Sequence, residues 1–388
     1  MSVVIAEATP AKATPVVAAT PRLLSVDALR GFDMFWILGG DLFMQALGRV
    51  SDKPVPQFLA RQLEHVAWRG FRFYDLIFPM FVFIVGVSMV FSLTKLIQTE
   101  GKLAAHKRIF RRAVLLFALG ILYSGGVSQL WPNIRLLGVL NRIALCYLFA
   151  ALIFCNFKPK TMVGICAGLL IGYWALMTFV PFTVNGTEHH GVFEPGLNLS
   201  NYIDAHYLPG KLYDGTWDPE GLLSTLPAIA TCLLGVFAGL LLRKGAMPEQ
   251  KKVMYLVSAG VSAIIVGWLW DLQFPVIKKI WTSSYVLVAG GWSAVLLGCF
   301  HQMVEIWGWR KWTAIFVWIG ANPITLYLLD NIVGFDKLAR RFAGGDVKRI
   351  LESTFGRGTG DLAIATVGLA IAVLLAWFLY RRKIFLRI

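Results

Sequence analysis

The chain has 388 residues, of which 57% are hydrophobic and 15% charged, with a mean hydropathy of +0.65. A composition this apolar excludes an ordinary soluble domain and places the chain in the membrane class. The formal charge of +15 does not point to nucleic acid, because no soluble basic domain accompanies it; the excess reads as helix-end anchors and loop charges.

Residues 1–21, rich in Ala, Thr, Pro and Val, lack the basic start and apolar core of a signal peptide and read as a disordered cytoplasmic tail. Residues 22–388 read as a single transmembrane domain, an all-α polytopic bundle of about ten helices, with an eleventh allowed. The first spans cover roughly 28–47, 72–97, 109–125, 135–155 and 161–181. The later ones cover roughly 222–243, 252–271, 284–306, 312–333 and 362–380. The stretch 334–361, with Lys337, Arg340, Arg341, Lys348 and Arg349, reads as an amphipathic surface loop. The five cysteines have no CxxC spacing and read as small packing residues, so no metal site is expected.

Loop charge sets the expected orientation. The turn with Lys95, Lys102, Lys107, Arg108, Arg111 and Arg112, the turn with Arg243, Lys244, Lys251 and Lys252, and the basic C-terminus fall on one side for an even span count. The positive-inside rule then makes both termini cytoplasmic, and the acidic loop 182–221 extracytoplasmic. The first outward loop (Arg49, Lys53, Arg61, Arg69, Arg72) and 334–361 break the rule, so they are expected to bind something or fold back onto the protein. No internal repeat is visible, which weighs slightly against a secondary transporter.

Candidate chemistry concentrates where a charged loop becomes the second span. His65 sits just before it, flanked by Glu64 and Trp68, and Asp75 lies in its beginning. A neutral imidazole accepts a proton near neutral pH, a carboxylate can orient it, and the same ring can act as a nucleophile toward a thioester. An interfacial histidine that merely caps the span is the structural alternative. Asp33 and Asp41 lie inside the first span and need a partner or a wet cavity, whereas Asp27 and Arg30, three apart, read as a local ion pair. Arg142, beside Asn141 in the fourth span, is a candidate partner for Asp33 or a phosphate or carboxylate ligand. His301 and Glu305, four apart, read as a helix-stabilising pair. His106, His189, His190 and His206 read as solvated. Ser283 and Ser284 open a helix whose start suits an anion, with capping as the plainer explanation. Asn322 precedes Pro323 at a helix entry or kink.

In chain order, Ser25-Val-Asp27-Ala-Leu-Arg30-Gly31, His65-Val-Ala-Trp68-Arg-Gly70, Asp75-Leu-Ile-Phe-Pro79 and Gly138-Val-Leu-Asn141-Arg142 lead on to Trp217-Asp218-Pro219-Glu220-Gly221 and Trp281-Thr-Ser-Ser-Tyr285. Together, over about 22–330, these blocks resemble the transmembrane acyltransferase family of heparan-alpha-glucosaminide N-acetyltransferase, which includes bacterial NagX-like proteins. The resemblance implies transfer of an acetyl group from cytoplasmic acetyl-CoA, a cosubstrate, to a glucosamine-type amino sugar or glycan on the periplasmic side of a bacterial inner membrane. It places the family's active-site histidine on His65 and its aspartate on Asp75 as the catalytic pair. It also implies donor contacts among Asp41, Asn141, Arg142, Trp281, Ser283, Ser284 and Asn322. Asn141 replaces the family's common Gln, and Val276-Ile277-Lys278 departs from the Asn-Lys often found before the Trp281 block. The implied partners are the lipid bilayer, acetyl-CoA and the acceptor, with a homodimer allowed and no nucleic acid. The rival reading is an inner-membrane transporter for N-acetylglucosamine or chitooligosaccharides.

Overall fold

A computed structural model describes residues 23–128 and 130–386, so the tail expected over 1–21 lies outside the described residues. The chain runs through α1 (Leu24–Phe35), a π-helical turn (Trp36–Gly40), α2 (Asp41–Val50), α3 (Pro54–Gln62), α4 (Phe73–Tyr123), α5 (Val139–Asn156) and α6 (Pro159–Phe179). A small hairpin follows, β1 (Phe182–Val184) against β2 (Thr187–His189), and then α7 (Leu199–Tyr207). The remainder is helical again: α8 (Thr225–Leu242), α9 (Glu249–Trp270), α10 (Ser283–His301), α11 (Ala314–Ala321), α12 (Pro323–Val333), α13 (Phe335–Ala343), α14 (Gly345–Phe355) and α15 (Thr359–Arg381).

Among the described residues, seven helices are long and apolar enough to cross a membrane, or eight if Lys311–Ala321 and Pro323–Val333, bent by 69°, form one span. This polytopic all-α bundle has fewer such helices than the ten predicted segments, for two reasons. Gly39, with φ of 119°, divides the first segment, so no helix there has the length to span. The second and third segments are merged in α4, whose 51 residues would extend about 75 Å as a straight rod at 1.5 Å per residue. Tyr74 and Asp75 at its start and Tyr123 at its end nevertheless line one cavity. The chain therefore turns back at Gly101, whose φ of 84° and ψ of 174° are not helical and whose missing side chain permits them. The stretch 334–361 is two helices rather than a loop. α13 lays Phe335, Ala339 and Ala343 inward, and Lys348 and Arg49 pair with Asp361 at 2.6 and 3.4 Å.

α4, α8 and α10 are the buried helices, while α6, α9 and α15 leave most of their apolar surface outward, where lipid would cover it. Small residues allow backbones to touch, the packing solution available where lipid removes the hydrophobic drive between helices. The closest approach joins α1 to α11. A Cβ on Gly31 would overlap the Phe316 carbonyl, and one on Gly320 would overlap the Asp27 carbonyl. Arg30 ties the same contact, donating to the Gly320 carbonyl at 3.2 Å and to Ser88 at 2.9 Å while pairing with Asp27 at 3.3 Å.

The long loop 182–221 is folded, not merely solvated. Phe182, Phe193 and Leu199 are buried with Phe274, Ile277 and Ile280 of the turn before α10. Replacing Gly31 with Ala forces two backbones apart, and we expect a loss of about 3 kcal/mol. The apparent thermal midpoint of the detergent-purified protein reads this directly; an unchanged midpoint would mean that α1 and α11 do not meet there.

Candidate active site

The site is built on the start of α4. Asp75 occupies the third helical position, where a carboxylate can satisfy a backbone donor that has no intrahelical partner. Its Oδ2 accepts from the Arg72 N–H at 3.1 Å and the Val66 N–H at 3.3 Å, while its Oδ1 lies 2.8 Å from His65 Nδ1. One turn further on, Pro79 has no N–H to give to the Asp75 carbonyl. The Tyr285 hydroxyl of α10 takes that place at 2.8 Å, so the first turn is held from both ends.

Two other segments grip the loop that carries His65. The Gly70 N–H donates to the Val276 carbonyl at 2.9 Å, and Arg69 and Ile277 form an isolated antiparallel bridge. The Trp68 indole donates to the Phe193 carbonyl at 2.7 Å, and Arg69 pairs with Glu194 at 2.8 Å. This pairing brings Lys278 beside the dyad, with its Nζ 3.1 Å from His65 Nδ1 and 3.5 Å from both His65 Nε2 and Asp75 Oδ1. Burial pushes the Lys278 ammonium below its ordinary pKa, while the charges of Asp75 and Glu220 oppose that shift. Asp75 is buried, whereas the His65 side chain is 53% exposed, so the carboxylate is fixed and the ring is reachable.

The dyad lines a cavity of about 410 Å³. Its apolar wall includes Met34, Ile77, Phe78, Phe81 and Ile143, and its polar rim includes Arg135, Glu220, Lys278 and Lys279. The rim is internally paired. Arg135 holds Asp218 at 2.7 Å and Glu220 at 2.6 Å, and Lys279 lies 3.4 Å from Asp214. Tyr123 and Tyr327 stack at 4.4 Å in the lining. The lining penetrates α4 only as far as Phe81 and α5 only as far as Ile143, so it does not reach the basic residues around Gly101. Behind the rim, Asp204 of α7 accepts the Leu222 N–H at 2.9 Å on one oxygen and has no partner on the other. Burial pushes its carboxyl up to about 6.

Of the expected donor contacts, only Trp281 lines the cavity; Asp41, Asn141, Arg142, Ser283, Ser284 and Asn322 do not. Most of their polar atoms bond within the protein, while Asn141 Oδ1 and Arg142 Nε and Nη1 have no hydrogen-bond partner. Asp41 accepts the Tyr74 hydroxyl at 2.9 Å, and Asn141 donates to the Phe117 carbonyl at 2.9 Å. Ser283 donates to the Leu170 carbonyl at 2.7 Å, and Ser284 to Thr282 at 3.1 Å. Asn322 joins the Ile384 carbonyl at 2.9 Å to the Leu386 N–H at 3.2 Å. Arg142 donates to the Gly221 carbonyl and Ser224 and lies 5.0 Å from the Trp281 ring, rather than pairing with Asp33, whose oxygens have no hydrogen-bond partner. His301 reaches across to Glu249 at 2.8 Å, while Glu305 accepts the Ser25 N–H at 3.0 Å, so the expected intrahelical pair is replaced by ties between helices. Trp281 itself has a φ of 52° and is anchored by its indole to Thr231 at 3.1 Å.

The sequence assigns no role to Tyr74, whose ring lies 4.7 Å from His65, and marks Lys278 only as part of the block before Trp281, not as a neighbour of His65. Tyr74 adjoins Asp75 and could have been flagged by that position. Lys278 is 213 residues from His65, and no local periodicity connects them.

A polytopic helical membrane protein with a buried carboxylate orienting an accessible imidazole over a mixed cavity is the class these features define. Within that class, a family model described as heparan-alpha-glucosaminide N-acetyltransferase, catalytic, matches residues 22–270, and the chain belongs to that family. It is 27% identical to human heparan-alpha-glucosaminide N-acetyltransferase over 95% of this chain and 60% of the human protein. It is 26% identical to the mouse protein of the same name over 84% of this chain and 56% of the mouse protein. The chain thus spans less than two thirds of the length of these relatives, and Lys278 and Trp281 lie beyond the segment that the family model matches.

Asp204 yields a pH prediction. Its folded pKa of about 6 lies above the ordinary value of 3.8, so its contribution favours the folded state at low pH and is lost as pH rises through 6. Asp204→Asn, which mimics the neutral acid, should raise the apparent thermal midpoint at pH 8, by up to about 3 kcal/mol in stability, and change it little at pH 4. Equal effects at both pH values would contradict the assignment.

Proposed function

We propose that this chain transfers an acetyl group from acetyl-CoA to the amine of a glucosamine-type acceptor, at the end of the bundle that carries loop 182–221. The observation that carries the reading is the 2.8 Å contact between His65 and Asp75 at a cavity, inside the segment matched by the family. Family membership favours an acyltransferase over the transporter alternative. Asp75 and His65 are the catalytic pair in this reading. With Nδ1–H donated to Asp75, the lone pair that can take a proton is on Nε2, with Lys278 Nζ 3.5 Å away.

The balanced step begins with the free amine of the acceptor, formed when its ammonium loses a proton. The amine attacks the thioester carbonyl, the new N–C bond forms, and the C–S bond breaks. His65 takes the proton shed by nitrogen, and the thiolate leaves as the thiol after reprotonation. The same Nε2 can instead carry the acetyl group transiently, and rapid-quench detection of an acetyl-enzyme separates the two routes. The apolar wall of Phe78, Phe81 and Ile143 suits the acetyl group and the arm behind it, while the rim suits a hydroxylated sugar. Delivery of the donor from the opposite, cytoplasmic face of a bacterial inner membrane requires the bundle to open beyond Phe81. Trp281, among the expected donor contacts, lines this cavity and is the one proposed to meet the donor there.

The test uses detergent-purified protein, labelled acetyl-CoA and glucosamine. Acetyl transfer is expected, with His65→Ala lowering its rate by about 10²–10⁴-fold. Asp75→Asn keeps an oxygen for the helix start but not the charge, and should cost about a hundredfold or more. Absence of transfer to any amino sugar, or an active His65→Ala variant, would refute the reading.

A further inference from the structure

We propose that Lys278 is a positioning residue for His65, holding the imidazole in its neutral, proton-accepting form. The inference rests on the reading of His65 as the base. Its starting point is a hydrogen-bond inventory. Asp75 accepts on Oδ2 from two backbone N–H groups, which leaves Oδ1 for His65 at 2.8 Å and Lys278 at 3.5 Å. An Nδ1–H that points at Asp75 leaves no lone pair on Nδ1 for Lys278, and Nε2, which carries the remaining lone pair, is the more distant of the two ring nitrogens, at 3.5 Å from Nζ. The 3.1 Å approach of Nζ to Nδ1 is therefore a contact between two donors that converge on one carboxylate oxygen.

A carboxylate alone beside a histidine favours the imidazolium, and a base already protonated at working pH cannot take the proton of the acceptor. A cation at this distance opposes protonation and shares the carboxylate that would promote it. It also favours return of the proton to the leaving thiolate or to water once the transfer is complete.

The other charged groups around the ring are occupied elsewhere. From its own loop, Glu64 and Arg72 pair with each other at 3.3 Å. From α4, Tyr74 presents its ring and gives its hydroxyl to Asp41. From the turn before α10, Lys279 pairs with Asp214, and across the cavity Glu220 pairs with Arg135. Among the described residues, Asp75 and Lys278 are the charged groups within hydrogen-bond distance of the imidazole. Lys278 is not a free surface lysine. Its side chain is 21% exposed, and the backbone pairing of Gly70 with Val276 and of Arg69 with Ile277 sets its place.

The test reads His65 itself. Diethyl pyrocarbonate modifies neutral imidazole, so the modification rate of the His65 peptide against pH, followed by mass spectrometry on the detergent-purified full chain, gives its titration midpoint. Lys278→Met should raise that midpoint by about one pH unit or more, a tenfold gain in proton affinity. Lys278→Gln serves as the second neutral variant if methionine does not fold. Lys278→Arg should stay near wild type, and Lys279→Met should leave the midpoint in place. In the acetyl-transfer assay, the acid limb of the pH profile should move upward with the midpoint in the neutral variants. An unmoved midpoint in an active enzyme, or an equal shift in Lys279→Met, overturns the role of Lys278 alone. A shifted midpoint in a protein that transfers no acetyl group instead sinks the catalytic reading, and with it the purpose assigned here to Lys278.

Discussion

The carboxylate of Asp75 closes the first turn of α4 with one oxygen and holds His65 with the other. A helix start within the protein needs its free N–H groups satisfied, so the carboxylate cannot leave without opening the helix as well as releasing the ring. Pro79 adds a second obligation by freeing the Asp75 carbonyl, and Tyr285 of α10 meets it. The position of the imidazole is thereby set by the initiation of one helix and its contact with another. In the proposed reaction, this anchoring would preorganise the imidazole as the proton acceptor.

The surrounding fold follows from the cost of polar groups in an apolar medium. Buried amides, hydroxyls and guanidinium groups must find partners, and within a bundle those partners are mostly backbone atoms of neighbouring helices. Ser283, Asn141 and Arg142 do this in part, donating to the carbonyls of Leu170, Phe117 and Gly221, although Asn141 Oδ1 and Arg142 Nε and Nη1 stay without a hydrogen bond. Loop 182–221 extends the same logic beyond the helices, since Phe193 and Glu194 hold Trp68 and Arg69 and so buttress the loop of His65.

Much of the architecture and part of the site were legible from local pattern. Apolar segments announced the helices, and His65 and Asp75 stand ten residues apart across a recognisable helix start. Local pattern failed where partners are distant or ambiguous. His301 and Glu305 have the spacing of an intrahelical pair but serve Glu249 and Ser25 on other helices. The polar residues assigned to donor contact have the same composition whether they face a cavity or tie two helices. Only their direction separates the two, and direction depends on the neighbours.

The membrane class, the helical segments, the ordered family blocks and the short spacing between an imidazole and a carboxylate can all be read along the chain. These depend on hydropathy and short spacing, which survive in one dimension. Tertiary structure decided that α4 turns back at Gly101, that Trp281 reaches the cavity while its neighbours Ser283 and Ser284 do not, and that Lys278 stands against His65. The reason is geometric. The register between the loop of Arg69 and Gly70 and the turn of Val276 and Ile277 is set by backbone hydrogen bonds across some two hundred residues of chain, and no helical or strand periodicity carries information over that distance.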